Sequence, residues 1–222
     1  MCGRYTLTAP AEVLSEVFEI EEPVNWTPRY NIAPTQEAAV LGLNHQGGRS
    51  IGGMKWGLVP SWAKDPSIGN RMINARAETV AEKPAYRSSF KKRRCLLLAD
   101  GFYEWKKAGS VKQPYYLSLQ DHRPFAIAGI WSRWRREEQD DLLTCSLITT
   151  SPNSVAAEVH DRMPAILQAE DFNAWLDPAN DDTQALLAML GPYSGEDLQA
   201  FAVSTLVNSP KNDTPQLIER LA

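Results

Sequence analysis

The chain is poor in the residues that build disulfide and metal scaffolds. Of its 222 residues, three are cysteine (Cys2, Cys95, Cys145) and three are histidine. An odd, low cysteine count without a C-x-x-C pair argues against a disulfide framework and fits a reducing compartment. His45, His122 and His160 fall into no zinc-ligand spacing, so no metal and no other cofactor is expected. No apolar run approaches a membrane span, and the opening MCGRYTLTAP lacks the apolar stretch of a signal peptide. The expected location is cytoplasmic. Internal repeats, low-complexity tracts and long linkers are also missing. A length of 222 residues suits one substantial core, so a single domain over 1–222 is expected.

An excess of positive charge is missing too. Lys and Arg number 23 against 27 Asp and Glu, a net charge of −4, which taken alone weighs against nucleic-acid binding. The distribution is uneven, however. Acidic residues gather at Glu19, Glu21 and Glu22 and again at Asp177, Asp181 and Asp182. The middle is basic, with Arg71, Arg76 and Arg87 followed by Lys91, Lys92, Arg93 and Arg94. The plain reading of that last run is a solvated turn ahead of a strand.

Periodicity gives the elements. Residues 10–20 read as a short helix begun by Thr8 or Pro10, with Val13, Leu14, Val17 and Phe18 on one face. Apolar and β-branched runs predict strands at 37–43, 95–99, 115–119, 124–130 and 142–149. Short helices are expected at 152–159, 169–176 and 183–190, with Trp175 in the core. Strands outnumber helices and do not alternate with them. The fold class is therefore α+β, with a mostly antiparallel sheet and short peripheral helices.

Between these runs lie segments mixing Trp, Arg, Asn, Glu and Pro: 29–36, 56–63, 73–79, 100–107 and 159–167. They read as loops at strand ends, where function concentrates. Cys2 follows Met1, and methionine before a small residue is readily removed. Removal would leave an amine and a thiol on one residue. An α-amine with a pKa of about 7.7–8.0 is a far better nucleophile near neutrality than lysine. It can form a Schiff base with an aldehyde, and the thiol can then close a thiazolidine. Glu104, flanked by Tyr103 and Trp105, is an acid–base candidate whose pKa desolvation would raise. His160 can exchange protons near neutrality, and Asn74 offers a donor and an acceptor to orient a substrate. Arg4, Arg29, Arg76 and Arg162 suit phosphate; Trp62 and Trp105 suit base stacking. Each residue alone also has an ordinary structural reading: a terminal accident for Cys2, a solvent-facing Glu, a packed Trp.

Taken together, the segments MCGRY, RYNIAPTQ, WGLVPSW, INARAET, ADGFYEWKK and VHDRMPAIL, in this order from residue 2 to about 210, resemble the SOS response-associated peptidase (SRAP) family of abasic-site sensors. No motif position departs from that pattern. The resemblance implies an α+β fold built on a curved, barrel-like sheet. It implies loss of Met1 and attack by Cys2 on the abasic deoxyribose, with Asn74 orienting the substrate and Glu104 and His160 moving protons. It implies a DNA groove formed by Arg4, Arg29, Trp62, Arg76, Trp105 and Arg162, with Pro34 near the end of the DNA stack. The implied partner is single-stranded DNA bearing abasic sites, at stalled forks or junctions, bound by a monomer in association with the nucleoid. A thiol peptidase and a non-covalent single-strand binding module are the competing readings.

Overall fold

The structure, a computed structural model, describes residues 2–109, 111–135 and 140–221. In chain order the elements are β1 (Tyr5–Leu7), α1 (Ala11–Val17), β2 (Arg29–Ile32), β3 (Glu37–Leu43), β4 (Arg49–Trp56), β5 (Asn74–Arg76), α2 (Arg87–Lys92), β6 (Arg94–Ala99) and β7 (Gly101–Ala108). There follow β8 (Val111–Leu119), β9 (Phe125–Trp134), β10 (Leu142–Thr150), α3 (Ser154–Ala157), β11 (Met163–Pro164), β12 (Ile166–Leu167), α4 (Phe172–Leu176), α5 (Thr183–Ala188) and β13 (Leu198–Ala202).

Five strands close on themselves. β4 pairs antiparallel with β3, β3 with β6, β6 with β9 and β9 with β10. A parallel pairing of β10 with β4, Cys145 opposite Trp56, completes the ring. β5 lies parallel along β10, and β11 and β12 add short antiparallel segments. A second, wholly antiparallel sheet runs β13-β8-β7-β1-β2. The expected α+β, barrel-like architecture is what the chain adopts.

The ring is packed, not hollow. All six residues of β6 are buried, which explains why 95–99 reads as a continuous apolar run. Gly129 lets the ring close tightly: a Cβ there would lie 2.3 Å from Leu97 Cδ1. Trp175 on α4 is fully buried, as expected, and its indole N–H donates to Cys95 O at 2.9 Å. The ring of Tyr5 meets Trp56 edge-on at 5.2 Å, joining the second sheet to the first.

Three sequence expectations need correction. The basic run 91–94 is not a solvated turn. Lys91 and Lys92 end α2, and Arg94 opens β6 at 4% exposure. The Arg94 guanidinium donates to the carbonyls of Phe90, Lys91, Trp175, Asp177 and Asn180, so five acceptors offset its desolvation. Helix α1 covers only Ala11–Val17, and Val17 faces solvent while Leu14 and Phe18 are buried. Pro10 precedes the helix; Thr8 is engaged elsewhere. Finally, 29–32, 74–76 and 101–107 are strand, not loop. Arg29, Asn74, Arg76, Glu104 and Trp105 thus stand on paired backbone.

Thr8 belongs to the anchor of the N-terminal strand. Asp100, 2% exposed, accepts from Thr6 Oγ1, Thr8 Oγ1, Thr8 N and Ala9 N at 2.5–2.9 Å. This cluster fixes β1 and the residues just after it. Asp100→Ala strands the amide N–H groups of Thr8 and Ala9 and the Thr8 hydroxyl, while Thr6 Oγ1 keeps Gly101 O and Tyr116 Oη. It is expected to lower the unfolding free energy by about 3 kcal/mol, measured by urea denaturation; a loss of under about 1 kcal/mol would contradict the anchoring role.

Candidate functional site

Cys2 lies ahead of β1 and is fully buried. Its carbonyl accepts from Asn74 Nδ2 at 2.8 Å, and its thiol points to Arg4 O at 3.7 Å. Burial pushes the Cys2 thiol far up from its usual pKa, and the nearby Glu104 carboxylate pushes it further. Met1, whose removal the sequence reading expects, lies outside the described residues.

Asn74 begins β5, opposite Leu147 of β10. Tyr86 Oη donates to its carbonyl at 3.2 Å. One side-chain atom, Nδ2, holds Cys2. The other, Oδ1, is buried and has no hydrogen-bond partner among the described residues. A buried acceptor left open is costly, and here it sits beside Cys2, ready for a donor.

Glu104 is on β7, opposite Tyr115 of β8, and is 3% exposed. Burial pushes its carboxyl up to about 7. His160 follows α3, its backbone N–H bonded to Ala156 O. Its Nε2 is 3.9 Å from Glu104 Oε2. Burial lowers the His160 pKa. His160 Nδ1 lies 3.0 Å from the Arg162 backbone N and 2.9 Å from Asp161 Oδ1. The first contact requires a bare Nδ1, the second a protonated one. The amide is fixed by the chain, whereas the Asp161 side chain is 89% exposed and solvated. The neutral ring therefore carries its proton on Nε2, toward Glu104.

Two clefts border this group. The larger, about 760 Å³, is walled by Glu104, Trp105 and His160 together with Lys106, Lys107 and Lys112. The smaller, about 380 Å³, includes Asn74, Arg76, Trp62, Lys83 and Tyr86 in its wall. Cys2 touches a wall residue of one through Asn74 and senses the other through Glu104. Trp62 is 63% exposed. Its loop is held by backbone packing: Gly57, at φ +128°, lies against Gly69, and a Cβ at Gly57 would come within 2.5 Å of Gly69 O.

The remaining sequence candidates differ in how free they are. Arg76 is exposed on β5. Arg162 makes a bidentate contact with Glu78 at 2.5 and 3.0 Å and reaches Thr149 O at 2.6 Å. Arg4 donates to Asn31 Oδ1, Val207 O and Asn208 O, and Trp105 Nε1 donates to Asn208 Oδ1 at 2.8 Å. Asn208 thus ties both to the C-terminal segment. Arg29 is engaged by Asp213 and Gln36. Pro34 sits half-buried in the turn after β2, next to Thr35 at φ +73°. The contacts described here link neither Arg29 nor Pro34 to the Cys2 group. Lys83, Lys106, Lys107 and Lys112, which line the clefts, and Asn208, which holds Arg4 and Trp105, were not among the sequence candidates. The spacing of Lys106, Lys107 and Lys112 about a Gly-containing turn was the available signal. No group of three or more His, Cys, Asp or Glu placed to hold a metal occurs among the described residues, and no described helix is long and apolar enough to cross a membrane.

Comparison with known proteins bears on the whole chain. The sequence signature of the SOS response associated peptidase (SRAP) family matches residues 1–210. The abasic site processing protein YoqW of Bacillus subtilis is 44% identical, over 99% of both chains. The abasic site processing protein HMCES of Xenopus tropicalis is 34% identical, over 97% of this chain and 77% of its own length. A crystal structure of a protein from Bacteroides thetaiotaomicron superposes with a TM-score of 0.88 at 27% identity, covering all of both chains.

Proposed function

The chain belongs to the SOS response associated peptidase family, and from that premise we propose that it captures abasic sites in single-stranded DNA as a covalent adduct on Cys2. The observation that carries this reading is the convergence, on a buried residue 2, of an amide with an open acceptor and a carboxyl whose pKa burial brings to about 7.

Removal of Met1 frees the α-amine of Cys2. The abasic sugar interconverts between a closed hemiacetal and an open aldehyde. His160, donating from Nε2, assists opening at the ring oxygen. The free amine attacks C1′ and forms a carbon–nitrogen bond; one water leaves and an imine results. The thiol then adds across the imine, its sulfur bonding to carbon and its proton passing to nitrogen. Glu104 relays that proton, because a buried thiol of raised pKa needs a base beside it. Asn74 Oδ1 accepts from the reacting sugar or amine. The product is a thiazolidine, which removes the imine that would otherwise allow β-elimination.

In this reading the strand lies across both clefts, with Trp62 and Trp105 as stacking platforms and Arg76 and Arg162 on phosphates. Arg4, Arg29 and Pro34 shape the groove. A buried nucleophile requires the sugar to leave any base stack, which favours single strands and junctions. The protein acts as a monomer in the cytoplasm, where the nucleoid supplies its substrate. Peptidase chemistry is confined to the Met1–Cys2 bond, because a fully buried, protonated thiol is poorly placed for outside peptides.

Intact-protein mass tests the proposal. The purified chain is expected to lack the mass of Met1. With an oligonucleotide carrying one abasic site it should gain the mass of that oligonucleotide less one water, in a species that survives heating. Loss of Met1 without any adduct near neutral pH would overturn it.

A further inference from the structure

Three lysines line the larger cleft. Lys106 and Lys107 are on β7 and Lys112 is on β8, and all three are exposed. Lysines often guard the free edge of a sheet. That role is open to these three, because β1 pairs with β7 only at Gly101 and Phe102 and β13 with β8 only from Tyr115 onward, which leaves the outer part of the hairpin with free edges. It does not account for their place in the cleft wall beside Glu104 and His160. These lysines serve no ion pairing: every ion pair between described residues uses arginine or histidine as its cation. Lys107 is directly opposite Lys112. Like charges facing each other across a ladder destabilise the pair, so the hairpin carries a cost that an anion in the cleft would relieve. Lys106 rests over the Tyr115 ring at 5.9 Å.

The cleft fixes what kind of anion fits. Its wall is continuous with Glu104 and His160, and its volume is about 760 Å³. The smaller cleft, past Asn74, presents Arg76 and Lys83. Cationic groups therefore stand in both clefts that border the reacting group, in a protein whose net charge is −4. A linear polyanion drawn across Cys2 meets positive charge on either side and is repelled by much of the remaining surface.

We propose that Lys106, Lys107 and Lys112 form a phosphate-binding subsite for the DNA segment on one side of the lesion, while Arg76 and Lys83 face the segment on the other. The subsite rests on the DNA-capture reading given above and adds to it the path of the strand. It acts on binding and leaves the chemistry at Cys2 to Glu104.

The test uses the full chain carrying Lys106→Gln, Lys107→Gln and Lys112→Gln together, and an undamaged single-stranded oligonucleotide, so that no covalent step intervenes. The slope of log affinity against log salt is expected to become shallower by about 2, as three phosphate contacts on a single strand require. Lys→Arg at the same positions should restore the slope, which shows that charge and not folding was lost. Uncharged methylphosphonate linkages placed on one side of the strand's centre should weaken the native chain and leave the triple variant indifferent. An unchanged salt slope, or equal weakening of both proteins by the methylphosphonates, overturns the subsite. If the native chain binds as described yet forms no adduct with abasic DNA, the capture reading fails while the lysine subsite stands.

Discussion

Cys2→Ala is expected to abolish the heat-stable adduct with abasic DNA, lowering its rate by roughly 10⁴-fold or more, the scale at which removal of a covalent nucleophile is felt. The variant still carries a free α-amine once Met1 is removed. It should therefore form an imine that borohydride traps, and that imine should decay or cleave the strand when left unreduced. Under the proposed mechanism, the thiol alone separates a transient Schiff base from a lasting ring. Folding is not the cause of the loss, since the substitution removes a single buried sulfur and is expected to cost only about 1 kcal/mol. DNA affinity in the absence of a lesion should hold. Denaturing gels with and without borohydride read all of this. Adduct at native yield from Cys2→Ala would move the nucleophile to another residue.

Glu104→Gln carries the second large effect. The amide keeps the shape of the side chain and cannot move a proton, so adduct formation is expected to slow by about 10²–10⁴-fold. Binding to undamaged single strands should change by less than about 3-fold, because the residue is buried and faces the reacting group. The pH profile is the finer readout. With its carboxyl held up to about 7 by burial, Glu104 is protonated below that pH and a base above it. The native rate should climb through about pH 7 as the base appears, and that limb should vanish in Glu104→Gln. Stability moves the opposite way. The folded-state pKa lies above the ordinary value of 4.5, so the contribution of the neutral carboxyl is fully present below about 4.5. It is lost as pH rises through about 7, where ionisation in the interior is penalised. The glutamine variant lacks this dependence and should be the more stable protein at pH 8, as judged by urea denaturation. Equal losses of binding and rate would sink the relay role.

The sequence was informative where side chains alone decide structure. The runs at 37–43 and 142–149 are strands because β-branched and apolar residues on them are buried in the ring, and they were read within a residue of their ends. Strands β2, β5 and β7 escaped because their polar residues serve the site or pair with distant backbone, not a two-faced pattern. β5 exists only because Ala75 and its neighbours run parallel to residues 147–149. Ring closure through β4 and β10 joins positions some ninety residues apart and leaves no local mark. Arg94 was hidden for the reverse reason: in a run of four cations nothing distinguishes the one that carbonyls surround. At the site, Cys2, Asn74, Glu104 and His160 were legible as motif members, whereas their mutual contacts were not. The lysines of the β7–β8 hairpin looked like ordinary surface charge until the register set Lys107 against Lys112.

The burial of Cys2 also sets terms for anyone handling the protein. The residue is fully enclosed and its carbonyl is bound by Asn74. Any affinity tag or fluorescent partner fused ahead of it would have to be led out of the interior, and under the proposed mechanism would cap the reacting amine. The other end is more forgiving, since Leu221 is 45% exposed. Purification handles, surface tethers and reporter fusions belong there.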